Sequence, residues 1–124
     1  MGGHTVGITC EEIDSYRPGG PNQWVLEERT YKSLKSRLYA LIDVCDAALA
    51  LPGGIGTLAE ISAMWSQIQV APNPDKRPLI LIGKGWRKIF TALELEQKGY
   101  ISTADHALLQ FLDEAADALQ WLTN

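Results

Sequence analysis

Apolar and polar positions alternate along the chain in two different ways. Short apolar runs, which are typical of strands, are separated by segments in which apolar residues recur every three or four positions, as in amphipathic helices. The runs predict three strands, at residues 4–10, 47–51 and 78–82. The wider spacing predicts helices over about 30–45, 58–68, 86–98 and 113–122.

The segments between these elements carry turn residues. The polar stretch around Pro18 and Gly20 predicts a long loop, and long loops in compact domains are often functional. Residues 73–75, Asn-Pro-Asp, predict a turn. Gly99 is expected to end the third helix as its C′ glycine.

Helices that separate near-continuous apolar strands imply right-handed β-α-β crossovers and a parallel sheet. We therefore predict an α/β fold with a parallel sheet flanked by helices, in which ligands bind outside the carboxyl ends of the strands. A sheet of three strands is narrow and leaves its edges unpaired. With an apolar helix face bearing Met64 and Trp65, it favours a homo-oligomer, a dimer or higher.

Composition limits the kind of protein. A chain of 124 residues predicts one domain over residues 1–124, and 46% hydrophobic with 21% charged residues indicates a globular chain. A net charge of −4 argues against nucleic-acid binding. No apolar run approaches the roughly 18 residues of a membrane span, and no signal peptide opens the chain. We therefore expect a cytoplasmic protein without a membrane or nucleic-acid partner.

Cysteine and histidine residues give no sign of a metal centre. Cys10 and Cys45 lack metal-ligand spacing and are expected to be buried thiols rather than a disulfide. His4 and His106 lie far apart with no partner motif. Neither a metal nor an organic cofactor is expected.

The most informative segment is residues 52–60, Pro-Gly-Gly-Ile-Gly-Thr-Leu-Ala-Glu, where the second predicted strand gives way to a helix. Its three glycines would let the backbone approach a ligand and take a positive φ where needed. The helix N-terminus that follows would suit a phosphate. With Glu60 one turn into the helix, the segment indicates chemistry on a phosphorylated small molecule.

A second interpretation of the same residues is purely structural. Thr57 and Glu60 fit the S/T-x-x-E capping box, in which Thr57 is the N-cap and Glu60 folds back onto its N–H group. A Glu60 engaged in this way has fewer lone pairs for a substrate. The residues alone leave both interpretations open.

Residues 52–60 match PGGxGTxxE, and in this the chain resembles the LONELY GUY (LOG) family, proteins long described as possible lysine decarboxylases. The resemblance implies a partial Rossmann-like parallel sheet that binds nucleotides. Family members characterised as enzymes are cytokinin riboside 5′-monophosphate phosphoribohydrolases, which cut the N-glycosidic bond of a nucleoside monophosphate. The segments 34–37 and 46–51 also follow the helix–strand–loop layout of the family.

Arg37 lies at the border of the buried stripe of its predicted helix, about 60° from Leu34. Such an arginine can extend to water, or it can line a cleft and offer its fork to an anion. It stands fifteen residues before Pro52, where the LOG family carries its catalytic arginine. The resemblance thus implies Arg37 and Glu60 as catalytic residues. It implies phosphate or nucleotide binding by Gly53, Gly54, Gly56 and Thr57.

The chain departs from the family pattern in two places. Family members usually carry a preceding nucleotide-binding half with a second glycine-rich turn, so we expect this chain to correspond to the C-terminal portion. The common family motif M-H-x-R-K is replaced by Leu-Lys-Ser-Arg-Leu at residues 34–38.

Three hypotheses about function follow. The first is a LOG-type phosphoribohydrolase that releases a free base and ribose 5-phosphate, with Glu60 stabilising the oxocarbenium-like centre and Arg37 holding phosphate or ribose. The second is a non-catalytic module that binds a nucleotide or molybdenum cofactor. The third is an inactive, truncated family member. No residues resemble a pyridoxal phosphate lysine site, so lysine decarboxylation has no support.

Overall fold

The computed structural model describes residues 2–72 and 76–124, so the turn predicted at 73–75 lies outside the described residues. The fold is α/β, with parallel sheets flanked by helices, as the sequence predicts. Two compact units make up the chain: the first ends at Cys45 and the second is Asp46–Asn124. The single domain expected over residues 1–124 stays a prediction.

The first unit is a β-α-β-α segment. Its elements are β1 (Val6–Cys10), α1 (Glu11–Tyr16), β2 (Glu27–Tyr31) and α2 (Leu34–Asp43). The two strands pair in parallel, with Val6 opposite Glu27. The first predicted strand is confirmed, but α1 and β2 occupy both ends of the predicted long loop. Both are hard to detect locally, because α1 spans less than two turns and β2 reads Glu-Glu-Arg-Thr-Tyr, without an apolar run.

Helix α2 begins at Leu34 rather than near residue 30, because the preceding residues belong to β2. Its N-cap is Ser33, whose side chain accepts a hydrogen bond from the Ser36 N–H group at 3.1 Å. The Glu12 carboxylate accepts another from the Leu34 N–H group at 3.0 Å. Together these bonds fix the first turn of α2 against α1.

Both cysteines are free thiols, as expected. Cys10 is buried at the end of β1, whereas Cys45 is half-buried just beyond α2.

The second unit holds a three-stranded parallel sheet of order β3-β4-β5. Its elements are β3 (Ala48–Ala50), α3 (Ile55–Val70), β4 (Leu79–Ile82), α4 (Lys84–Glu96), α5 (Thr103–His106), β5 (Leu109–Leu112) and α6 (Ala115–Thr123). The sequence missed α5 and β5, which are four residues each, too short for a clear periodic signal. The expectation of three strands is therefore wrong, since the described residues contain five in two sheets.

Strand β4 is the centre of the second unit. All four of its residues are buried, and Ile80 and Ile82 pack against Ala118 of α6. Strands buried on both faces have continuous apolar sequences, which is why this element was predicted correctly. Met64 on α3 is only 2% exposed and Trp65 is half-buried. Met64 is therefore a core residue of the second unit rather than part of an exposed face.

Helix α4 ends at Glu96 with Gln97 as C-cap. Gly99 has a φ of 98°, but it lies one position beyond the C′ site predicted for it. Further along, Ser102 and Asp105 form the capping box of α5. The Asp105 carboxylate accepts hydrogen bonds from the Ser102 hydroxyl and from the Ser102 backbone N–H group. Both bonds lower the pKa of this carboxyl, and the bond from the hydroxyl has the larger effect.

Among the described residues, every helix is either too short or too polar to cross a bilayer.

Candidate functional site

The glycine loop, residues 52–57, follows the carboxyl end of β3, and its last three residues form the first turn of α3. This is the end of a parallel strand at which ligands bind in α/β sheets. Helix α3 begins at Ile55 with Gly54 as N-cap, and the first helical bond runs from the Leu58 N–H group to the Gly54 carbonyl at 3.0 Å. The N–H groups of residues 55–57 therefore precede the first bond and have no acceptor within the helix.

The structure excludes the predicted capping box. The N-cap is Gly54, which has no side chain to bond the first turn, so Thr57 is the third residue of α3 and Glu60 the sixth. A capping partner must lie in the first turn, and Glu60 lies in the second. Glu60 is therefore not a capping residue.

Glu60 is half-buried and follows Gly56 by four residues, so the two share one face of α3. Helical side chains point back toward the N-terminus, and that of Glu60 is directed over the turn that contains Gly56. Gly56 is exposed and has no side chain to cover this turn. The Cα–Cβ bond of Glu60 thus points toward the helix end that carries the N–H groups of residues 55–57.

None of the three glycines of the loop has a positive φ. The loop therefore does not use the freedom of glycine to take a positive φ. A Cβ on Gly53 would lie 3.0 Å from Thr57 Cβ and closer still to its hydroxyl oxygen, so any side chain there would force Thr57 to shift. A Cβ on Gly54 or Gly56 would meet nothing within 4 Å. Packing therefore does not require these two glycines, and their effect is to leave the backbone uncovered.

Two contacts from the next strand–helix junction support the loop. The Trp86 indole N–H group donates to the Leu51 carbonyl at 3.0 Å, from a side chain only 5% exposed. Gly83 has a φ of 102°, and a Cβ there would lie 3.2 Å from Cγ of Pro52. Sequence reasoning missed both residues. The sequence signal that could have found them is Gly-Lys-Gly-Trp at residues 83–86, directly after the apolar strand β4.

Arg37 belongs to the first unit, whereas the glycine loop and Glu60 belong to the second. Arg37 is half-buried on α2, and its Nε–H group donates to the Ile8 carbonyl of β1 at 3.0 Å. It lines a cleft of about 260 Å³ together with Cys10, Asp14 and Arg17. Arg37 therefore lines a cleft, which is one of the two positions that its place at the border of the helix face allows.

A sequence model of the family described as "Possible lysine decarboxylase" matches residues 1–122. The chain belongs to this family. The match includes the glycine loop, Glu60 and Arg37, and family membership links the chain at a general level to the LOG-type phosphoribohydrolases. No curated protein matches the chain.

The remaining candidates in this LOG-family chain have structural or solvent-facing positions. Trp24 is 72% exposed. The basic residues Lys84, Arg87 and Lys88 are exposed, and Arg87 contacts Asp113 at 3.4 Å. Within the described part of the chain, no three His, Cys, Asp or Glu residues are grouped so that they could hold a metal.

Proposed function

We propose that this chain hydrolyses the N-glycosidic bond of nucleoside 5′-monophosphates, releasing the free base and ribose 5-phosphate. The observation that carries the proposal is the start of α3 at Ile55. It places three N–H groups without helical acceptors at an exposed glycine loop and leaves Glu60 outside the capping role.

The loop would bind the 5′-phosphate. N–H groups at a helix N-terminus point outward together, and the helix dipole adds a partial positive charge at the same end. The uncovered backbone at Gly54 and Gly56 would let phosphate oxygens reach hydrogen-bonding distance. The Thr57 hydroxyl would contribute a further donor.

Glu60 would act on the sugar. Loss of the base develops positive charge at the anomeric carbon, as in glycoside hydrolysis. A carboxylate one turn beyond the phosphate site would stabilise this charge and orient or deprotonate the attacking water. Neither role requires a metal or an organic cofactor.

Arg37 is assigned from its position in the family motif. Its guanidinium would hold the phosphate or ribose through paired N–H donors and so fix the reacting geometry. Its Nε bond to the Ile8 carbonyl orients the fork at the edge of its cleft, which agrees with an anchoring role.

Hydrolysis of AMP tests the proposal. Wild-type protein should release adenine and ribose 5-phosphate, and Glu60→Gln should lower turnover on the order of a hundredfold, because it keeps the shape and removes the charge. Melting temperatures of wild type and variant, measured beside turnover, separate a loss of chemistry from a loss of folding. Glu96→Gln, an exposed carboxylate at the end of α4, is the matched control and should keep wild-type turnover.

Arg37→Ala should weaken both AMP binding and turnover, since an anchor acts in the ground state and the transition state alike. Wild-type protein that binds AMP without releasing adenine would contradict hydrolysis. That result would support a carrier of nucleotide-like ligands instead.

A further inference from the structure

We propose that Trp86 is a positioning residue for the glycine loop, and that its indole N–H group determines where the loop presents its phosphate-binding N–H groups. This inference rests on the proposed phosphate binding at the loop and adds the residue that keeps the loop in place.

The indole bond acts at the point where the sheet ends. Pairing between β3 and β4 stops at Ala50, so Leu51 is the first residue beyond the ladder and directly precedes Pro52. The Trp86 N–H group donates to the Leu51 carbonyl at 3.0 Å. Because Trp86 is only 5% exposed, its indole N–H group needs an acceptor from the protein, and the Leu51 carbonyl supplies it.

The second contact holds the next residue. Gly83 places its backbone against the Pro52 ring, and its own N–H group donates to the Leu112 carbonyl of β5 at 2.8 Å. The left-handed backbone at Gly83 thus allows a close approach that a side chain would prevent. Leu51 and Pro52 are therefore both tied to residues at the start of α4.

An open cleft of about 100 Å³ lies beside the loop. It is lined by Pro52, Gly53, Ile82, Gly85, Trp86 and Ile89. Because this side of the loop is open, close packing does not hold it there. The indole bond and the Pro52 contact hold Leu51 and Pro52 at the edge of the cleft.

The chain supplies a matched control in Trp65. Both tryptophans contact the Phe90 ring, with centroids 5.5 Å away for Trp65 and 6.1 Å for Trp86. Both donate an indole hydrogen bond to a backbone carbonyl, but that of Trp65 goes to Asp105 of α5 at 2.9 Å. The two bonds are chemically alike and differ in the segment that they hold.

The experiment compares Trp86→Phe with Trp65→Phe in AMP titrations followed by amide NMR. Each variant should lose stability, but only Trp86→Phe should bind AMP about tenfold more weakly, because misplaced donors no longer converge on the phosphate. Trp65→Phe should stay within about twofold of wild type. The amide signals of residues 53–57 should move in Trp86→Phe alone. Equal AMP affinities with equal loop signals in the two variants would overturn the inference.

Two further outcomes remain decisive. Wild-type protein that does not bind AMP overturns the proposed function, and the loop amide signals of the two variants then still test whether Trp86 positions the loop. If Trp86→Phe does not fold, the wild-type titration decides. AMP should shift the Trp86 indole signal and leave that of Trp65 in place, and an unmoved Trp86 signal overturns the inference.

Discussion

At the scale of single residues, the glycines of the loop differ in their surroundings: Gly53 is crowded by a neighbouring side chain, whereas Gly54 and Gly56 are not. A Cβ on Gly53 would lie 3.0 Å or less from atoms of the Thr57 side chain, so packing favours glycine at this position. Gly54 and Gly56 face open space instead. A glycine in a helix is destabilising relative to alanine, so Gly56 lowers the stability of α3, and the proposed phosphate binding would account for its presence.

Gly56→Ala should have opposite effects on stability and on AMP binding. Gly56→Ala should raise the free energy of unfolding by up to about 1 kcal/mol, because alanine restricts the unfolded chain and favours the helix. It should also weaken AMP binding, because the methyl group covers the N–H face of α3. Urea unfolding and AMP titration of the same preparation measure the two effects.

Ser62→Ala serves as the control for Gly56→Ala. It also raises helix propensity, and it lies exposed in α3 beyond the first two turns. It should leave AMP affinity unchanged. Unchanged AMP affinity in Gly56→Ala would contradict the assignment of this N–H face to the phosphate.

At the scale of elements, the start of α2 determines where Arg37 lies. The Arg37 N–H group donates to the Ser33 carbonyl at 3.1 Å, so this arginine stands one turn inside the cap. Ser33 bonds the Ser36 N–H group, and Glu12 ties Leu34 to α1. A loosened cap would therefore disturb the backbone that carries Arg37.

Ser33→Ala should lower the free energy of unfolding by about 1 kcal/mol, the usual cost of removing an N-cap hydroxyl. Lys35→Ala, an exposed position in the same turn, should be close to neutral. Urea denaturation of both variants measures the difference. Indistinguishable midpoints would show that the Ser33 side chain does not stabilise α2.

At the scale of the whole molecule, self-association remains a prediction, and its basis has changed. Met64 is buried, but other large apolar side chains are exposed in the second unit, including Ile55 at 82%, Val70 at 79%, Leu95 at 67% and Tyr100 at 86%. Exposed apolar side chains favour association when they form a patch. Sedimentation at micromolar concentration should show a species heavier than the 13.7 kDa chain. A single 13.7 kDa species across the concentration range would contradict this prediction.

The sequence by itself determined the elements whose signals are local. The α/β class, the buried strand β4 and the existence of α3 and α4 follow from apolar periodicity, which each segment carries alone. The glycine loop was equally visible, because glycine chemistry and the turn into a helix occupy neighbouring residues. Cys10 and Cys45 were correctly expected to be free thiols.

Tertiary structure decided the features that depend on distant residues. Strand β2 has a polar sequence and exists because it pairs with β1. The first residue of α3 was ambiguous locally, since Thr57 is a good N-cap, and the folded chain starts the helix at Ile55 instead. The bond from Trp86 to the Leu51 carbonyl joins residues 35 positions apart. Strand pairing and buried side-chain bonds are contacts between separate segments, so no window of sequence contains them.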